Sequence, residues 1–133
     1  MNSAPLLDTH AWVWWIRRDP RLDDTVIERL DALPAHERPF VADISLWEVA
    51  MAVEKGRLDL PRPVGEWLAS ASHERAVRVV PISAAIAAET HVARALRDPA
   101  DRLIVATSRI LGVPLFTCDR NVLRSRLAQR WTP

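Results

Sequence analysis

Four acidic residues are the side chains of this sequence best suited to chemistry: Asp8, Glu48, Asp101 and Asp119. Asp8 and Asp119 each follow a short apolar run and precede a segment with helical spacing. In open α/β sheets, ligands bind beyond the carboxyl ends of the strands, where these two aspartates would lie. A residue in that position also serves as a helix N-cap. For either aspartate alone the cap is the simpler explanation, and the presence of both favours a site.

Glu48 lies in the apolar helical segment ISLWEVAMAVEKG, which offers it no nearby basic partner. None of the residues three or four positions away is basic, and Lys55 is about two turns distant. An unpaired carboxylate is costly to bury on such a helix. Two interpretations stay open. Glu48 lies on a solvent-facing stripe with Ser45 and Lys55, or it points into a site that holds a positive charge.

The segment DPAD, residues 98–101, has a complete structural explanation of its own. Asp98 before a proline is typical of a helix N-cap, and Asp101 then stands at the third helical position, where it could reach back to the cap's amide. However, Asp101 also shares a helix face with Ile104 and Val105. It therefore borders the predicted core, and a second role at a site is open.

The elements that must position these acids alternate between short apolar strands and helices. This alternation predicts an α/β fold with a mainly parallel, short-stranded sheet in one domain, residues 1–133. The predicted strands are 4–7, 39–42, 76–82 and 113–118, with an edge strand at 129–131. The predicted helices are 9–18, 22–33, 44–55, 63–75, 83–96 and 99–111, with a short helix after Asp119.

Crowded carboxylates raise each other's pKa, and a divalent cation removes that cost. We predict no lysine or histidine among the four acids, so the donor set consists of carboxylate oxygens alone. Oxygen donors favour Mg²⁺ or Mn²⁺ over zinc or copper. Such a site can activate water and neutralise charge on a phosphodiester.

Composition indicates the cellular location of the protein but does not identify a binding partner. The 133 residues carry a net charge of +1, so bulk charge does not require a nucleic-acid partner, although all basic residues except Lys55 are arginines. A single cysteine, Cys118, excludes an intrachain disulfide, and no apolar run is long enough to span a bilayer. The N-terminal segment is a poor signal peptide. We therefore expect a cytoplasmic protein without a membrane partner.

Three stretches resemble one known family in sequence, order and spacing: LLDTHAWVWW, ISLWEVAMAVEKGRL and DPADRLIVATSRILGVPLFTCDRNV. The chain resembles the PIN-domain ribonucleases, in particular the VapC-type toxins of bacterial toxin–antitoxin pairs. The resemblance implies a PIN-like three-layer α/β/α sandwich and a toxin that cuts RNA with Mg²⁺ or Mn²⁺. It places the family's catalytic and metal-binding quartet on Asp8, Glu48, Asp101 and Asp119, with Asp98 as an auxiliary acid.

The resemblance also implies a partner, a VapB-type antitoxin whose C-terminal segment lies in a groove on the toxin. It further implies a homodimer or a toxin–antitoxin hetero-oligomer. Four tryptophans are candidates to line the groove, and core packing is the alternative for each: Trp12, Trp14, Trp15 and Trp47.

Smaller features have open roles. The hydroxyls of Thr9, Ser45 and Thr117 stand next to motif acids and could bind carboxylates, water or helix ends. Arg102 could bind RNA phosphate or pair with an acid, but solvation is the simpler expectation. Asn121 is a weaker candidate for a role at the site. A DNA nuclease on the same acids is the alternative enzyme. A receiver-like, magnesium-binding signalling domain is an alternative of another class, although the sequence lacks the late lysine that such a domain needs.

Overall fold

A four-stranded, all-parallel sheet forms the centre of the computed structural model, which describes residues 4–133. The strands, in the spatial order β3-β2-β1-β4, are β1 (Leu6–Leu7), β2 (Phe40–Ala42), β3 (Arg78–Val80) and β4 (Leu115–Phe116). Both residues of β1 are fully buried, as expected for a central strand of a parallel sheet that is covered on both faces.

Within residues 4–133, seven α-helices and two short 3₁₀ turns surround the sheet. The helices are α1 (Thr9–Arg17), α2 (Asp24–Asp31), α3 (Ile44–Glu54), α4 (Val64–Ala71), α5 (Ala84–Glu89), α6 (Pro99–Leu111) and α7 (Arg120–Ser125). The 3₁₀ turns span Ala35–Glu37 and Thr90–Ala93. No helix in the described part of the chain is long and apolar enough to cross a membrane.

Successive strand residues point to opposite faces of the sheet and so into two separate cores. Leu7, which pairs with Val41 and Phe116, belongs to a core built with α1, α2 and α4. Leu6, which pairs with Leu115, belongs to a second core built with α6 and α7. This division confirms the predicted three-layer α/β/α arrangement.

Helix α6 has the predicted bounds because its two end signals are local. The Asp98 carboxylate accepts the Ala100 amide at 2.9 Å, and Pro99 takes the first helical position. Gly112 ends the helix with φ of 66°, a left-handed conformation that glycine adopts without strain. The helix thus begins next to Asp98 and carries Asp101 in its first turn.

Other predicted elements are too long, because tertiary connections end them early. The helix predicted over 63–75 ends at Ala71, where the chain turns and the His73 carbonyl accepts the Ala76 amide at 2.8 Å on the way to β3. The helix predicted over 83–96 is capped by Ser83 as expected, but its α-helical part ends at Glu89 and a 3₁₀ turn follows. The predicted strand 129–131 is a single bridge between Leu115 and Arg130.

Candidate functional site

Asp8 stands at the carboxyl end of β1, is only 8% exposed, and uses both of its carboxylate oxygens. One oxygen accepts the Ala11 amide at 2.8 Å and caps α1, and the other accepts the hydroxyl of Thr117. Burial raises the pKa of the Asp8 carboxyl, while these two hydrogen bonds lower it. Asp8 is therefore a helix cap whose second oxygen faces the neighbouring strand end.

Thr117 links Asp8 to Asp119 across the end of β4. Its buried hydroxyl donates to Asp8 and accepts the backbone amide of Asp119 at 3.0 Å. Asp119 caps α7, since its Oδ1 accepts the amides of Asn121 and Val122 at 2.8 and 3.0 Å. Asp119 is exposed, its second oxygen accepts no hydrogen bond within residues 4–133, and its negative charge raises the pKa of Asp8.

Glu48 points towards the same edge of the sheet from α3. Its carboxylate accepts the hydroxyl of Thr9, which is also hydrogen-bonded with the Ser45 hydroxyl at 2.8 Å. Burial is the main cause that raises the pKa of Glu48, and the negative charges of Asp98 and Asp8 add to it. Because Ser45 is fully buried, the interpretation that places it with Glu48 on a solvent-facing stripe is wrong.

Asp101 enters the site from the first turn of α6. Burial is the largest cause that raises its pKa, to about 7 from an ordinary 3.8. The other causes are four negative charges, those of Asp98, Asp119, Glu48 and Asp8. Asp101 accepts no hydrogen bond within residues 4–133, so the reach back to the cap's amide allowed by its position does not occur. The structure thus brings the four predicted acids and Asp98 into one electrostatic cluster.

No basic side chain forms an ion pair with this cluster in the described part of the chain. The four ion pairs there lie elsewhere: Arg18–Asp31, Arg21–Asp19, His36–Glu37 and Arg109–Glu89. His10 is exposed, and its charge lowers the pKa of Asp8 and of Glu48. The cluster is therefore strongly negative and open to a cation.

Within residues 4–133, no three Asp, Glu, His or Cys side chains converge closely enough to hold a metal ion together. The donor set is nevertheless suited to Mg²⁺ or Mn²⁺, since every donor is a carboxylate oxygen. Mg²⁺ usually keeps several water ligands and needs only one or two carboxylates directly. The chemistry of these donors therefore suits such an ion, with water supplying most of its coordination, although the described residues form no preformed set of three ligands.

Comparison with known families identifies the family to which this chain belongs. The family model described as the PIN domain matches residues 6–126, which include all four acids. The chain belongs to the PIN-domain family. Its sequence is also 38% identical over 128 residues to Ribonuclease VapC22 of Mycobacterium tuberculosis (strain ATCC 25618 / H37Rv), with 93% of each chain covered. The predicted resemblance to VapC-type PIN ribonucleases is confirmed.

Solved structures show the same fold at lower sequence identity. FitAcB from Neisseria gonorrhoeae superposes with a TM-score of 0.66 at 18% identity, and 96% of each chain is covered. A structure of FitAB bound to an IR36 DNA fragment superposes with a TM-score of 0.64 at 18% identity, over 95% of this chain and 92% of the other. These two likenesses support the PIN fold.

Glu48 and Asp98, together with residues of α1 and α3, line a cavity of about 590 Å³ in this PIN domain. Trp14 and Trp47 line it, and Trp47 is 57% exposed. Trp12 and Trp15 lie in the core instead, so the hypothesis that they line a groove is wrong for these two. The Trp12 indole donates to the Ala71 carbonyl at 3.1 Å, which accounts for its polar atom inside the core.

Some residues of the PIN-domain site have roles that spacing along the chain did not show. Arg102 is half-buried and donates to the Leu96 carbonyl, so the expectation that it is solvated is wrong. This hydrogen bond connects α6 to the loop that precedes it and so helps to position Asp101. Arg21, which lines the cavity, lies 4.8 Å from the centre of the Trp14 ring and is held by Asp19 at 2.8 Å. No sequence motif indicated that contact.

Proposed function

We propose that this PIN domain is a metal-dependent endoribonuclease and the toxin of a VapBC-type toxin–antitoxin module. One observation carries the proposal: Asp101 shares an electrostatic cluster with Asp8, Glu48 and Asp119, and none of these acids forms an ion pair in the described chain. The 38% identity with a protein named as a ribonuclease supports RNA as the substrate.

Asp8, Asp101 and Asp119 are the residues that we propose hold Mg²⁺ or Mn²⁺, with Glu48 as a direct or water-linked ligand and Asp98 as an auxiliary acid. A bound ion of this kind would activate water and neutralise charge on the scissile phosphate. Asp119 and Asp101 keep carboxylate oxygens free of hydrogen bonds from the described chain. These two side chains are therefore the most available ligands.

The residues of the chain have separate tasks in the proposed hydrolysis. Thr117 and Thr9 fix the orientation of Asp8 and Glu48 through their hydroxyls. A carboxylate of the cluster accepts the proton of the attacking water. The water oxygen bonds to phosphorus, the bond to the leaving ribose oxygen breaks, and the protonated carboxylate gives its proton to that oxygen.

The purified protein is expected to cut single-stranded RNA in Mn²⁺ or Mg²⁺ and to stop when EDTA removes the ion. The test compares a labelled RNA with a DNA of the same base sequence on denaturing gels. DNA is included because a DNA nuclease is the alternative enzyme that the protein sequence allows. Cleavage of RNA alone supports the proposal. Cleavage of DNA alone, or cleavage that persists in EDTA, would contradict it.

We also propose that the cavity beside Glu48 receives a segment of the antitoxin. Its wall combines apolar side chains with exposed basic residues, including Arg21, Lys55 and Arg57. The exposed indole of Trp47 at this wall has the properties of an interface hot spot. Occupation of the cavity would also place a partner residue next to Glu48 and Asp98.

Trp47→Ala is expected to weaken the complex with the antitoxin, taken as the product of the neighbouring reading frame, by about tenfold. The measurement is titration of purified toxin variants with that protein. Ile110→Ala is the matched control, since Ile110 is 42% exposed on α6 and does not line the cavity. Equal affinities of the two variants would argue against this docking site.

A further inference from the structure

The net positive charge of this chain comes from its C-terminal segment. Residues 120–133 contain four arginines and no acid: Arg120, Arg124, Arg126 and Arg130. The other 119 residues carry fourteen basic and seventeen acidic residues, so they are net negative although the whole chain has a net charge of +1. The net charge of +1 therefore does not show that residues 120–133 are strongly positive.

Three of these arginines line one cavity of about 430 Å³, which we call the arginine cavity: Arg124, Arg126 and Arg130. All three side chains are exposed, and none forms an ion pair within residues 4–133. These arginines face a concave space together and leave their guanidinium donors free for a ligand.

The backbone around the arginine cavity is fixed. Leu115 donates to the Gln129 carbonyl at 2.7 Å and accepts the Trp131 amide at 2.8 Å, so the tail lies along β4. Trp131 is buried against Phe116 with ring centres 5.4 Å apart. Arg109 also donates to the Leu127 carbonyl at 2.7 Å. The tail thus presents its arginines from a rigid support, which lowers the entropic cost of binding.

The arginine cavity and the carboxylate cluster meet at Thr117. This residue lines the cavity, and its hydroxyl binds both the Asp8 carboxylate and the Asp119 amide. A polyanion that reaches the carboxylates therefore has a positive surface immediately beside them. One guanidinium group can donate two parallel hydrogen bonds to the oxygens of one phosphate. Several arginines together therefore suit the repeated negative charge of a nucleic-acid backbone.

From these observations we propose that the arginine cavity binds the backbone phosphates of the RNA strand on one side of the bond that is cut. The inference rests on the proposed ribonuclease function and adds a substrate-binding site to it. The cavity compensates for the repulsion that the negative cluster exerts on RNA, because it supplies positive charge within the same binding path.

The test measures binding of a short fluorescein-labelled single-stranded RNA by anisotropy, with Asp101→Asn as the background that prevents cleavage. Changing Arg124 and Arg130 together to glutamine is expected to weaken binding by about tenfold. The slope of log affinity against log salt should fall by roughly one unit, as expected for lost phosphate contacts. The control pair, Arg29→Gln with Arg62→Gln, removes the same charge from exposed residues outside the cavity.

Melting curves of both pairs check that each variant is folded, and cleavage by the wild type in Mn²⁺ separates the two proposals. If the wild type cuts RNA and both double variants bind RNA as tightly as the Asp101→Asn background does, the arginine cavity is not the phosphate site. The proposed ribonuclease function then stands. An equal loss in both pairs indicates general charge alone and also overturns the inference. If the wild type neither binds nor cuts RNA, both proposals fail.

Discussion

Asp101→Asn is expected to lower the rate of RNA cleavage by about 10²–10⁴-fold while the protein stays folded. The substitution keeps the shape of the side chain and removes its charge from the centre of the carboxylate cluster. Asp101 accepts no hydrogen bond from the described chain, so the fold loses no contact. Single-turnover cleavage in Mn²⁺ measures the effect, and arrest of growth on expression provides a second readout.

The same variant is expected to be more stable than the wild type in EDTA at neutral pH. From about pH 4 to 7 the folded state keeps a proton on Asp101, whose pKa is about 7, and the unfolded chain has released it near 3.8. Stability therefore falls as pH rises through this range, and asparagine removes that loss. Solvent reaches Asp101, so the gain is about 1–2 kcal/mol.

Thermal melts in EDTA at about pH 5 and about pH 8 test this sign, because the difference between variant and wild type should be larger at the higher pH. Asp24→Asn is the control, since Asp24 is exposed on α2 and does not contribute to the pKa of Asp101. Wild-type cleavage rates in Asp101→Asn would remove Asp101 from the proposed site. A variant less stable than the wild type at pH 8 would contradict the electrostatic reason.

Thr117→Val is expected to reduce cleavage by about 10–100-fold, as for residues that orient the ligands of a metal ion. Valine keeps the volume of threonine but removes the hydroxyl that donates to Asp8 and accepts the Asp119 amide. The buried Asp8 oxygen then lacks a partner, which costs about 1–3 kcal/mol of stability. Thr117 is thus a positioning residue for two carboxylates.

The Mn²⁺ concentration that gives half-maximal cleavage distinguishes positioning from general destabilisation, because it should rise in Thr117→Val and return towards the wild-type value in Thr117→Ser. Thr107→Val is the matched control: Thr107 is also buried, and its hydroxyl donates to the Leu103 carbonyl within α6. If Thr107→Val changes the Mn²⁺ requirement as much as Thr117→Val does, the proposed role of Thr117 is wrong.

Features that depend on neighbouring residues in the chain were predictable from the sequence. The bounds of α6 follow from Asp98 and Pro99 at one end and Gly112 at the other, since caps and left-handed glycines act within one turn. The sequence also predicts Asp8 and Asp119 at strand ends, because an apolar run followed by an N-cap residue is a local signal. Parallel strands then bring such ends to one edge of the sheet.

The tertiary structure alone decided what each side chain faces. Trp12 and Trp14 are two residues apart on one helix, yet Trp12 is core and Trp14 lines a cavity, because different elements cover the two faces of α1. The raised pKa of Asp101 likewise depends first on burial by the elements packed around it and then on the negative charges that other elements bring to it. Spacing along the chain determines the relative directions of side chains only within one helix or strand. Packing between elements determines which of those side chains are buried and which charges surround the site.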